Sequence, residues 1–365
     1  MSNFDFYLIT RTHYYKKHKK KCMENNLTQD ICRNLVLKPP REQYINVMQK
    51  SSIWYKLREQ SHGTASSLGK FIPGDKWTSE EELNQQWKEY LENKPFVKTH
   101  TMEGHMKWGT VHEDLALFCF AEKYNKCVVQ VGTIRVDHKD IKENMEVFYP
   151  HLKTPSNDEF HLLISPDGIV CNKTKNNYNE EENKIENIIG MLEIKCISPF
   201  FHLENENSNL VWCDDIEKRQ WKTADDIPHV YLIQMALQAV CGIIELDMTF
   251  ENVMYFERWS PKGFSVFCLS FDDLFKVGIL ASTLYFMLLE RSKKEENFVA
   301  YPLHKHEEEV NKTLQQKILA TKKHINHVYH NIQKKHPYFD FFNNYYLSTQ
   351  HEEFDLHQKD KKCLI

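Results

Sequence analysis

Two apolar stretches, HLLISPDGIVC at 161–171 and GMLEIKC at 190–196, constrain the fold first, because each carries charge inside a run that otherwise reads as a core strand. They place Asp167, Glu193 and Lys195 on two short adjacent strands. Strand side chains alternate between faces, so Glu193 and Lys195 project to one side while Leu192, Ile194 and Cys196 project into a core. Two sets of hard carboxylate oxygens with a lysine beside them suit Mg²⁺ or Mn²⁺ and an activated water, the equipment for cutting phosphodiesters. An Asp followed at variable distance by Glu-x-Lys arises by chance in many charged chains. Its weight here comes from the apolar setting and from what flanks it.

The flanks alternate helix and strand. QKSSIWYKLREQSHGTASSLGKFI reads as a helix that ends near His62-Gly63 and restarts at Thr64-Ala65-Ser66. PGDKWTSEEELNQQWKEYLENKP holds a helix capped by Thr78 or Ser79, with acidic residues in its first turn. MKWGTVHEDLALFCFAEKYN is a helix apolar over most of its circumference, hence expected to be deeply packed. CVVQVGTIRVD reads as a further strand, and NKTKNNYNEEENKIEN, between the two charged strands, as a polar hairpin tip expected to be mobile. Helix returns at DDIPHVYLIQMALQAVCGI, with Asp226 as N-cap and Pro228 in the first turn. MTFENVMYFERW and GFSVFCLSF are strands, followed by long helices from about 272 to 336. The fold class is α/β, a mixed sheet flanked by helices. The expected division is a basic N-terminal extension at 1–45, one α/β domain at 46–300, a helical segment at 301–346 and a flexible tail at 347–365.

Composition narrows the class. A chain of 365 residues can bury a large core. Its net charge of −4 does not announce a nucleic-acid binder, but the basic residues are uneven, with RTHYYKKHKKKC near the start and KKHINHVYHNIQKKH near the end. Each run is either a solvated charge run or a surface that grips phosphate. Ten scattered cysteines with no C-x-x-C argue against a zinc ribbon or a disulfide framework and for a reducing intracellular compartment. Cys119, Cys196 and Cys241 sit in apolar runs and read as small core residues. No apolar run reaches the ~18–20 residues of a membrane span. The first residues do not read as a signal peptide, and Cys363 stands third from the end, not at the fourth position that prenylation needs. No Walker-type phosphate loop and no G-x-S-x-G elbow is present. His304 and His306 read as surface residues.

Three further constellations bear on chemistry. On a helix, Glu113 shares a face with Ala116, Leu117 and Phe120. A buried carboxylate there needs either an ion pair with a lysine or arginine or a metal, and Asp167 and Glu193 favour the metal. Tyr231, Gln234 and Gln238 form a polar strip opposite Val230, Ile233 and Leu237. Such a strip either faces solvent or hydrogen-bonds phosphate and orients water. Arg58, Thr64 and Ser66 surround the helix break near Gly63, where a guanidinium, hydroxyls and free backbone N–H groups suit a phosphate; Thr64 or Ser66 would equally serve as an N-cap.

The order of these motifs resembles the lambda-exonuclease/YqaJ-type viral recombinase family of PD-(D/E)XK nucleases. The match runs from about Gln49 to Gln238: Trp54 and Arg58 ahead of GTAS (Thr64-Ala65-Ser66), then WGTVHE, SPDG, LEIKC and YLIQ. Separated motifs in this order are far more specific than the Asp/Glu-x-Lys core alone. The resemblance implies a PD-(D/E)XK nuclease fold with helical N- and C-terminal extensions. It also implies that Glu113, Asp167 and Glu193 bind metal, Mg²⁺ or Mn²⁺ as two ions, with the Ile194 carbonyl as an additional ligand. Lys195 would position or activate water and stabilise charge on the phosphate, with Gln234 beside it. Arg58, Ser66 and Ser165 would hold a 5′-phosphate, and Ser165 and Asp167, two apart on one strand, would share a face.

The activity so implied is 5′-to-3′ degradation of double-stranded DNA, leaving 3′ single strands for recombination, repair or genome processing. An endonuclease, an RNA-degrading nuclease on the same fold and a non-catalytic DNA-binding module are the alternatives. The implied partners are double-stranded DNA ends, a single-strand annealing protein and further copies of the chain, with no membrane. The setting is intracellular and soluble, in the cytoplasm, a viral factory or the nucleus, and a large DNA virus of eukaryotes is the expected source. The chain departs from the phage enzyme in a longer loop between Asp167 and Glu193 and in its basic and helical extensions.

Overall fold

Local capping chemistry sets the first elements. Helix α1 (Ser52–Gln60) begins at Ser51, whose hydroxyl accepts the Trp54 amide. The chain breaks at Ser61, and one-turn helix α2 (Ala65–Leu68) restarts under a reciprocal cap between Thr64 and Ser67. Helix α3 (Glu80–Leu91) starts at Ser79, which exchanges capping bonds with Glu82, while Glu80, Glu81 and Glu82 favour the positive end of the helix dipole. The computed structural model describes residues 47, 49–74, 79–92, 94, most of 106–124, 125–172, 178–179, 184–185, 188–197, 200–202, 210–212, 227–260 and 263–331. The described residues between 106 and 124 are helical. Strand β1 (Lys126–Val129), β2 (Ile134–Asp137), helix α4 (His138–Phe148), β3 (His161–Ile164) and β4 (Gly168–Asn172) follow. Two short pairs come next: β5 (Tyr178–Asn179) with β6 (Lys184–Ile185), and, beyond β7 (Ile188–Cys196), β8 (Phe200–His202) with β9 (Leu210–Trp212). Helix α5 (His229–Glu245), β10 (Val253–Ser260), β11 (Gly263–Ser270), α6 (Phe271–Ser292), α7 (Lys305–Lys323) and β12 (Asn326–Asn331) complete the order.

Among the described residues the main sheet has six strands in the order β1-β4-β7-β10-β11-β12. All neighbours are antiparallel except β7 and β10, which run parallel. A parallel pair needs a long crossover, and α5 supplies it, so this helix must lie across the sheet. It does: Leu232 through Gly242 are all buried. Helix α6 packs against it closely, because a Cβ on Gly278 would come within 2.4 Å of the Ala236 carbonyl oxygen. The main core gathers α5, α6 and α7 with residues of the sheet, including Phe256, Phe267, Leu284 and Leu314. A second cluster fills the opposite face, where Leu192, Ile194, Val170 and Trp259 meet Ala116 and Phe120. Among the described residues no helix is long and apolar enough to cross a membrane.

Several expectations change. CVVQVGTIRVD is two strands in two sheets, since β1 pairs with β4 and β2 pairs with β3. The chain does not stay helical to 336: α7 stops at Lys323, and Asn326–Asn331 adds a sixth strand beside β11. Pro228, not Asp226, occupies the N-cap of α5. Asp226, the basic run at 16–21, most of the hairpin tip and the tail lie outside the described residues.

Candidate active site

The alternation expected along β7 holds. Leu192 and Ile194 enter the second cluster with Cys196 beside them, and Glu193 points to the face that α5 covers, fully buried. A carboxylate in that position needs donors. Glu193 Oε1 accepts from the Gln234 amide at 2.7 Å and from the Lys195 ammonium, and Oε2 accepts from the Gln238 amide at 2.6 Å. The polar strip of α5 therefore does not face solvent. It faces Glu193, because the crossover helix is packed against the sheet along its middle turns. Gln238, one turn beyond Gln234, belongs to the site as fully as Gln234 does, and its i+4 spacing was the available signal. Lys195 Nζ also lies 5.1 Å from the centre of the Tyr231 ring. Burial works against its charge, but Glu193 and Asp167 outweigh that and hold its pKa above the ordinary lysine value.

Asp167 sits in the turn between β3 and β4, immediately before Gly168, which pairs with Leu192 of β7. Its Oδ2 accepts the Ile194 backbone N–H at 2.7 Å. Burial, and then the charges of Glu193 and Glu113, push its pKa well above the usual carboxylate range, against the pull of Lys195 and the Ile194 amide. Ser165 and Asp167 do not share a strand face as the strand reading held, because both fall in the connecting turn. That turn is pinned from outside: the Gln49 amide donates to the Pro166 carbonyl at 3.0 Å and to the Val131 carbonyl at 2.7 Å. Nothing in the local sequence pattern singled out Gln49.

Glu113 completes the carboxylate group at longer range. It is not sealed among apolar neighbours, since its side chain keeps 21% exposure and pairs with Lys50 at 2.6 Å. Among the described residues no three His, Cys, Asp or Glu side chains close on one point. The chemistry of the set nonetheless fits a hard cation: the donors are carboxylate oxygens, and burial together with the charges of Glu193 and Glu113 disfavours the ionised form of Asp167 in a way that a cation would relieve. Glu113, Asp167 and Glu193, with the Ile194 carbonyl, are the oxygen donors here that could hold one.

A cluster of side chains around the Arg58 guanidinium adjoins the turn. Arg58 Nη2 donates to the Ser66 hydroxyl at 2.7 Å and to the Thr64 hydroxyl at 3.0 Å. Its guanidinium carbon lies 4.2 Å from the centre of the Trp54 ring, and the Trp54 indole N–H donates to the Ser165 hydroxyl at 3.1 Å. Arg58, Ser66 and Ser165, distant in sequence, are thus brought together, with Trp54 as the piece between them. Thr64 is the N-cap of α2, and Leu163 donates its N–H to the Gly63 carbonyl at 3.0 Å, which ties this segment to β3. Burial lowers the Arg58 pKa to about 10, leaving it cationic at neutral pH.

The family model for a YqaJ-like viral recombinase domain matches residues 53–244, just over half of the 365-residue chain. No curated protein matches the chain. The matched span contains Arg58, Ser66, Glu113, Ser165, Asp167, Glu193, Lys195, Gln234 and Gln238. The mixed sheet with flanking helices is consistent with the PD-(D/E)XK-like nuclease fold.

Proposed function

The chain belongs to the YqaJ-like viral recombinase family, and from that premise we propose that it is a metal-dependent exonuclease that degrades double-stranded DNA from 5′ ends. The family itself implies a recombination-related nuclease. One observation carries the finer reading: the turn 165–167 holds Ser165 against the Trp54–Arg58 cluster at one end and Asp167 against Ile194, next to Glu193, at the other. A donor set for a terminal phosphate thus adjoins the carboxylates through a turn of three residues. Such proximity supports an enzyme acting at a chain end.

In this reading Arg58, Ser66 and Ser165 bind the 5′-phosphate, with the guanidinium supplying charge-assisted hydrogen bonds. Gln234 and Gln238 lock the Glu193 carboxylate, and the Lys195 ammonium beside it stabilises charge on the phosphodiester oxygens. Glu113, Asp167, Glu193 and the Ile194 carbonyl hold Mg²⁺ or Mn²⁺, two ions in our reading, whose Lewis acidity serves the hydrolysis when bound. The product is a 3′ single strand of the kind a single-strand annealing protein takes up, and the enzyme acts on duplex ends alone or as a homo-oligomer.

The test uses end-labelled linear duplexes with and without 5′-phosphate, alongside covalently closed circular DNA, in Mg²⁺ and in EDTA. Mononucleotide release from 5′ ends of linear DNA only, dependent on Mg²⁺, is expected. Cleavage of the circle, or release from 3′ ends, would refute the polarity and the exonuclease reading.

A further inference from the structure

Lys50 occupies an unusual place. Its backbone is in the left-handed region with φ of 65°, a conformation that side-chain-bearing residues seldom adopt without a compensating contact. Both neighbours are fixed. Gln49 is bonded to the carbonyls of Val131 and Pro166, and Ser51 caps α1 through the Trp54 amide. The corner between them therefore aims the Lys50 ammonium at one target, Glu113 Oε2, at 2.6 Å. The pair is only partly shielded, with side-chain exposures of 39% for Lys50 and 21% for Glu113.

We propose that Lys50 is a resident counter-ion of the carboxylate cluster, which a divalent cation must displace from Glu113, so that this lysine sets the metal affinity of the site. The inference rests on the metal-binding reading above. Asp167 and Glu193 meet buried amide donors, and the Lys195 side chain on Glu193 is less exposed, at 29%, than that of Lys50. Glu113 and Lys50 form the more exposed of the two lysine–carboxylate pairs in the cluster, so a cation arriving from solvent meets this pair first. The same corner belongs to the segment that carries Trp54 and Arg58, so metal entry at Glu113 and the geometry of the Arg58 cluster share one stretch of backbone.

The experiment titrates Mn²⁺ calorimetrically into the full chain without DNA, and records the melting temperature with and without Mn²⁺. Lys50→Met should bind Mn²⁺ about two- to fivefold more tightly than wild type, the size of losing one partly exposed ion pair as competitor. Its gain in melting temperature on adding Mn²⁺ should be larger. Lys50→Gly, which accepts the left-handed backbone without strain, should match Lys50→Met and carries the result if the methionine variant folds poorly. Lys50→Arg should stay near wild type. In a Glu113→Gln background the benefit of Lys50→Met should vanish. Unchanged or weaker Mn²⁺ binding in both charge-removing variants would overturn the proposal, as would a gain that persists with Glu113→Gln. Asp167→Asn separates the two levels: if it abolishes Mn²⁺ binding while Lys50→Met changes nothing, only the role of Lys50 falls. If Asp167→Asn binds as wild type does, the metal site and the lysine proposal fall together.

Discussion

The indole N–H of Trp54 donates to the Ser165 hydroxyl at 3.1 Å, while the same ring carries the Arg58 guanidinium 4.2 Å from its centre. Losing a charge-assisted guanidinium contact costs ~1.5–3 kcal/mol, about one to two decades in rate if it acts on the transition state. Arg58→Ala should therefore slow digestion of 5′-phosphorylated duplex far more than of 5′-hydroxyl duplex and nearly erase the preference between them. Trp54→Phe keeps a ring under the guanidinium but removes the donor to Ser165, so it should lower the preference part of the way. Rates on the two duplexes, compared for each variant, check both.

The carboxylates separate activity from stability. Asp167→Asn removes one member of a mutually repelling set. It should abolish cleavage and leave the melting temperature in EDTA equal to or above that of wild type. Gln238→Leu should lower stability as well as activity, leaving a fully buried Glu193 oxygen without its amide donor. That loss costs about 1.5–3 kcal/mol, readable as a lower urea midpoint, with a fall in turnover alongside.

A buried ion pair joins α6 and α7. Arg291, near the end of α6, donates to both oxygens of Glu307 in α7, at 2.8 Å and 3.0 Å, and to the carbonyls of Val299 and Ala300. Removing one member of such a pair leaves the other charge buried and alone, a loss of roughly 3–5 kcal/mol. Arg291→Met should lower the urea midpoint accordingly, and the Arg291→Met/Glu307→Met double variant should recover part of it.

His62 and His161 share a hydrogen bond between their Nδ1 atoms at 3.2 Å. Burial, then His161, Lys293 and Arg135, lower the His62 pKa from 6.5 to about 4. The folded protein thus binds this proton less readily than the unfolded chain, so the stability it supports is present above pH 6.5 and is lost as the pH falls toward 4. Melting temperatures between pH 7 and pH 4 should fall less for His62→Gln than for wild type. Parallel curves would show that the imidazole pair has no part in acid sensitivity.

What the sequence determined by itself was local. The period-two alternation of LEIKC sent Leu192 and Ile194 into one core cluster and Glu193 to the opposite face, and the break at Gly63 with Thr64 or Ser66 as cap was readable because capping is decided within four residues. The tertiary structure alone decided who meets whom. The strip of Tyr231, Gln234 and Gln238 could by periodicity face either solvent or a site, but a parallel pairing of β7 with β10 requires a crossover, and the crossover helix turns Gln234 and Gln238 onto Glu193. Asn326–Asn331 became a strand because β11 offered an unpaired edge, which no periodicity in a short polar run reveals. Gln49 reaches Pro166 across 117 positions, and Lys50 reaches Glu113 across 63. Contacts at such separations follow from topology, whereas periodicity reports only which side of its own element a residue takes.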